Sequence, residues 1–154
     1  MRLVPFRPRR AQQGVALVEF TLVLPLLLLL LLAFGEFGRM LYQYNVLLQA
    51  SRDAGRFVSS QAWNTTLGAI DLNGTLRTRT KNVAVYGVPS TAGAAVVPGL
   101  TVGNVVVEAV GSNHVRVTIT HAFSPVIGTV FPGFFGAPTR LGIDLVATTV
   151  MRAL

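Results

Sequence analysis

The chain has 154 residues, of which 51% are apolar and only 12% charged, so there is room for one domain and a helical extension but not for two full domains. That balance excludes a disordered chain and is low in charge for a freely soluble one. The net charge of +7 invites a nucleic-acid partner, but four of the thirteen basic residues (Arg2, Arg7, Arg9 and Arg10) precede the long apolar run, leaving +3 after Gly14. No basic patch interleaved with aromatics is present, which argues against nucleic acid. With no cysteine, thiolate chemistry and cysteine-ligated metals drop out, and an exported domain must hold itself together by core burial.

In chain order, residues 1–14 are short and basic and contain Pro5 and Pro8, which reads as a leader and not a folded element. Residues 20–35 carry no charge, and if Glu19 is neutralised or paired the tolerable segment extends back to about Ala11. At about 1.5 Å per residue, roughly 20 helical residues cover a hydrocarbon core of about 30 Å, so a single span is expected. The basic flank predicts an N-terminus inside and the bulk of the chain outside. A basic start, a leucine run and the small pair Ala33 and Gly35 also fit a secretory signal cut before Glu36. Glu19 breaks the basic-then-apolar order of such a signal, and helical period continues past Gly35, so a retained helix is favoured.

That continuation is the strongest periodic feature. Phe37, Leu41, Tyr44, Leu48, Ser51, Gly55 and Val58 recur at spacings of four and three, and Met40, Leu47 and Ala54 widen the stripe. The helix is expected over about residues 15–60, with its amphipathic half wanting a partner surface. Pro25 cannot donate to the carbonyl of Thr21, so a local opening is expected there, re-satisfied by the Thr21 hydroxyl or another helix.

Residues 63–74 rise in polar and glycine content and mark a connection. Asn64-Thr65-Thr66 and Asn73-Gly74-Thr75 match the glycosylation acceptor pattern, one that also arises by chance. Residues 76–86 read as a short second helix or a strand, ended by Gly87 and Pro89. Residues 87–103 are rich in Gly, Ala and Pro and read as an irregular connection. Strand period follows: residues 105–110, a turn at Gly111-Ser112-Asn113, then 114–123 as a hairpin. Val115, Val117 and Ile119 share one face, His114, Arg116, Thr118 and Thr120 the other. Residues 124–138 form a loop rich in Phe and Pro, and residues 142–152 a third strand with Ile143, Leu145 and Ala147 on one face. The expected fold is α+β: a long N-terminal transmembrane and amphipathic α-helix packed on a small antiparallel β-sheet. The organisation expected is a leader (1–14), a transmembrane helix (15–35), its amphipathic continuation (36–62) and an exported head (63–154).

No phosphate-cradling glycine loop, His-Glu-x-x-His or Gly-x-Ser-x-Gly is present. His114 and His121 lie seven apart on one strand, so they face opposite ways and cannot share a metal. Asp71, Glu108 and Asp144 stand singly, without a pairing that suggests acid/base catalysis. Neither enzyme nor cofactor nor metal is expected. The special group is Glu19. Unpaired in hydrocarbon it is costly, and at headgroup depth it is cheap. A cut after Gly14 would free the α-amine of Val15 four residues away, a cation for this carboxylate on its own helix or a neighbour's.

Gly14 followed by Val15-Ala16-Leu17-Val18-Glu19-Phe20 resembles the prepilin peptidase site of type IV pilins. With Thr21-Leu22-Val23-Leu24-Pro25, the leucines and Gly35-Glu36-Phe37-Gly38, it is similar to TadE-like pseudopilins of the tight-adherence (Flp) pilus system. Ser51-Arg52-Asp53-Ala54-Gly55-Arg56 and the ending Val150-Met151-Arg152 are also family-like. The resemblance implies a pilin-like fold and a single-pass inner-membrane precursor, cleaved between Gly14 and Val15 by a prepilin peptidase. It would then join a pilus or its inner-membrane assembly platform as a minor subunit. Glu19, Phe20 and Pro25 would serve assembly, with other pilins and lipid as partners of the helix. A major filament-forming pilin and a secreted binding domain are the alternatives. Disulfide-bearing pilin heads have cysteines and this chain has none, which argues against a disulfide-loop adhesin. Phe131, Phe134 and Phe135 are either an exposed contact surface or buried over the sheet end.

Overall fold

A computed structural model describes residues 12–126, 130–131, 139–140 and 142–154. The chain divides into two compact units at Gly38/Arg39. The first holds the apolar part of helix α1, which as a whole runs Gln12–Ser59 with Pro25 inside it. The helix thus starts three residues ahead of the expected Val15 and takes Gly14 into its first turn.

The second unit begins with residues 39–59 of α1. A short ribbon follows, β1 (Trp63–Asn64) with β2 (Ala69–Ile70). Residues 76–86 prove helical, in α2 (Gly74–Tyr86). Two caps settle what periodicity left open. The Asn73 side chain accepts from the Leu76 N–H at 2.8 Å, and Gly87, at φ 74°, closes the helix in the left-handed conformation. Asn64 is similarly engaged, its Oδ1 accepting from the N–H groups of Thr66 and Leu67. Both acceptor-like triplets therefore have a local structural explanation in a cap and a turn.

The irregular connection ends in a 3-10 turn, Val102–Asn104, and is not merely a tether. Val97 and Leu100 are buried, and the Val96 N–H donates to the Val85 carbonyl. Strands β3 (Val105–Val110) and β4 (His114–Phe123) form the expected hairpin, with Gly111 at φ 65° in its turn. A second short ribbon joins β5 (Val130–Phe131) to β6 (Thr139–Arg140). The last strand, β7 (Ile143–Arg152), pairs antiparallel with β4, giving the order β3-β4-β7.

One core lies between the inner face of this sheet and the two helices. Val105, Val107, Val115, Val117, Ile119, Leu145 and Ala147 supply the sheet side. Leu47, Ala54 and Val58 of α1 and Val83 to Val85 of α2 supply the helical side. The close approach of α1 to β7 is set by small residues. An added Cβ at Gly55 would lie 3.3 Å from Thr149 Cγ2, and the Ser51 hydroxyl meets the Thr149 hydroxyl at 2.8 Å. The C-terminus is tied to the end of α1 by the Leu154 N–H donating to the Ser59 carbonyl.

The α+β expectation therefore holds: a long apolar N-terminal helix and a small antiparallel sheet with helix packed on it. The stripe is corrected in extent. Burial within α1 becomes full only from Leu47 onward, while Phe37, Leu41 and Tyr44 remain 54%, 43% and 36% exposed.

Candidate assembly site

Apart from Glu19 and Thr21, residues 14–32 of α1 are apolar on every side, and most of their large side chains are solvent-facing, as a helix requires when its partner is lipid or another helix. The helix Gly14–Ser59 is long and apolar enough to cross a membrane, and its most apolar stretch is not buried within the chain. One such N-terminal helix suggests a single-pass membrane protein.

The expected processing and assembly residues all lie on this helix. Gly14, Val15, Val18, Glu19 and Leu22 line one shallow surface concavity, as a four-residue helical repeat demands. Val15 and Glu19 therefore share a face, and Val15 is 70% exposed. Phe20 is exposed on another side of the same turn. At Pro25 the Thr21 hydroxyl does not serve its own carbonyl, as one of the sequence expectations had it. It donates to the Leu17 carbonyl at 2.7 Å, one turn earlier, and so does not re-satisfy the carbonyl that Pro25 cannot bond. Of the three loop phenylalanines, Phe131 falls in β5, while Phe134 and Phe135 lie outside the described residues.

In the head, a polar cleft of about 390 Å³ is lined by Arg39, Gln43, Asn104, His121 and Ser124. Arg39 stands outside the apolar stripe of α1, yet its Nη2 donates to the Ser124 carbonyl and its guanidinium lies 4.7 Å from the Phe123 ring centre. This contact fastens the start of the head's helix to the end of β4. Nothing in the helical period marks it, because an arginine that snorkels along a sheet end looks like a surface arginine in sequence. His121 is buried on the inner face of β4 and His114 is exposed on the outer face, as the odd spacing requires. Burial pushes the His121 pKa below its ordinary 6.5, which keeps the ring neutral. No carboxylate lines this cleft, so the histidine has no acid/base partner among the lining residues. Glu108 pairs across the hairpin with Arg116 at 3.0 Å, a part-buried structural contact and not an acid/base pair. Among the described residues no cluster of three metal-binding side chains occurs.

The model of the TadE-like protein family matches residues 14–56. Over that stretch the chain is TadE-like. The matched segment starts at the glycine of the expected cleavage site and takes in Glu19, Pro25 and the Ser51–Arg56 stretch, the residues that carried the resemblance. TadE-like proteins are pilin-like, associated with the Tad pilus, and structural, not enzymatic. Similarity to that family over residues 14–56 suggests contact with other pilus components. No curated protein and no solved structure matches the chain.

Proposed function

We propose that this chain is a minor pseudopilin, made as a membrane precursor, cut by a prepilin peptidase between Gly14 and Val15, and built into a Tad-type pilus or its inner-membrane assembly complex. The observation that carries this reading is the TadE-like match, whose first residue is Gly14. The helix geometry supports it: Val15 and Glu19 share one exposed face. Cleavage would convert the Val15 nitrogen into an ammonium on the same face as the only carboxylate of the apolar segment. Two charges at the lip of a bilayer that pair within or between helices fix the axial register of subunits. Loss of one leaves the other desolvated, at a cost of about 3–5 kcal/mol where the pair is buried.

In this scheme residues 1–14 are the leader and stay on the cytoplasmic side, in keeping with the basic residues there. Residues 15–35 span the membrane and the head lies outside. Phe20 and the kink-prone turn at Pro25 offer packing surface to other pilin helices. The size of the head, residues 39–154, favours a minor role over that of the main filament subunit.

The reading is tested by Glu19→Ala. Processing should proceed as in the unaltered protein, whereas the amount recovered with sheared pili or the assembly complex should fall at least severalfold. Full incorporation of the variant would remove Glu19 from the scheme.

A further inference from the structure

The two edges of the head's sheet are treated differently. Along β3, helix α2 packs against the edge strand and Arg77 Nη1 donates to the Val107 carbonyl at 3.0 Å. The other edge is β7, ten residues long. Among the described residues, the backbone of Ile143–Arg152 bonds to β4 and to nothing else. Seven consecutive residues of it, Leu145-Val146-Ala147-Thr148-Thr149-Val150-Met151, carry no charge, proline or glycine. Proteins ordinarily blunt such an edge with a central charge, a proline or a bulge, because an open one templates strand addition.

Here the charges stand only at the two ends, and they are opposite. The outward face reads Asp144, Val146, Thr148, Val150, Arg152, with Val146 and Val150 about half exposed (49% and 47%). Reversed, this series is its own complement. An antiparallel copy centred on Thr148 sets Asp144 against Arg152, Val146 against Val150, and Thr148 against itself.

We propose that β7 is an interface between two copies of this chain, paired antiparallel about a two-fold axis at Thr148, so that two three-stranded sheets become one of six strands. Opposite charges and β-branched pairs directly across a ladder are the favourable cross-strand combinations. The register is defined as well. A two-residue slip sets Asp144 against Val150 and Arg152 against Gly142, and a one-residue slip sets inward side chains against outward ones. An axis normal to the sheet also sets residues 39–59 of α1 antiparallel in the two copies, and the proposal stands whether or not the chain is a pilus subunit.

The chain has no cysteine, so introduced cysteines report the register without background. In full-length protein in detergent, Thr148→Cys should bring two Cα atoms to about 4.5–5.5 Å, within disulfide reach, and give a cross-linked dimer on mild oxidation. Val106→Cys, exposed on β3 two strands from the axis, should remain uncross-linked. Adding Asp144→Arg to the Thr148→Cys protein should lower its cross-linking rate roughly tenfold, and adding Arg152→Asp as well should restore it. A Thr148→Cys protein that stays monomeric with an unaltered circular dichroism spectrum overturns the proposal. So does equal cross-linking from the two positions, or a charge reversal without effect.

Discussion

Single side chains in the head show how one atom's surroundings set a measurable property. His121 is held neutral by burial, so its folded-state pKa lies below the 6.5 of the free side chain. As pH falls, the unfolded chain takes up this proton before the folded one does. The stability linked to His121 is therefore complete above about pH 6.5 and is lost as pH falls from there through the folded-state value. Urea unfolding of the head at a series of pH values should show this loss, and His121→Gln should flatten it. Gly55 is limited by space and not by backbone conformation. With Thr149 Cγ2 only 3.3 Å from where a Cβ would lie, Gly55→Val should cost about 1–3 kcal/mol by the same measurement.

Elements were legible to the degree that their signals are local. The hairpin of β3 and β4 was read with its bounds, because period-two alternation meets a glycine turn at Gly111. Helix α2 was undecided because its apolar positions are sparse; its identity rests on two capping residues, Asn73 and Gly87. Asn73→Ala should accordingly destabilise the head by about 1 kcal/mol, seen as a lower thermal midpoint. The α1 stripe teaches a different lesson. A spacing of three and four says that a face seeks burial, but not in what. Leu47, Ser51, Ala54 and Val58 are buried in the head, whereas Phe37, Leu41 and Tyr44 stay exposed, and all of them satisfy the same period. Val97 and Leu100 were missed altogether, since buried positions in an irregular segment have no period to find. The role of Arg39 leaves no local signal for a related reason: its partners, Phe123 and Ser124, lie some 85 residues away.

At the scale of the molecule, the chain joins an apolar helix that buries nothing of itself to a head with its own core. The two parts obey different physics. The apolar helix is specified by its hydropathy and by a few residues at its start, and the TadE-like stretch, residues 14–56, runs from there into the part of α1 that packs in the head. The head is specified by packing, and many sequences satisfy the same packing. The proposed function consequently rests on the first turns of α1, where Gly14, Val15 and Glu19 lie within six residues. The mass of the membrane-extracted native protein is the most direct measurement of that claim. The account predicts a polypeptide beginning at Val15, with a Gly14→Leu variant heavier by the fourteen-residue leader. A native chain that keeps Met1, or one that begins at Glu36 without its apolar helix, would contradict it.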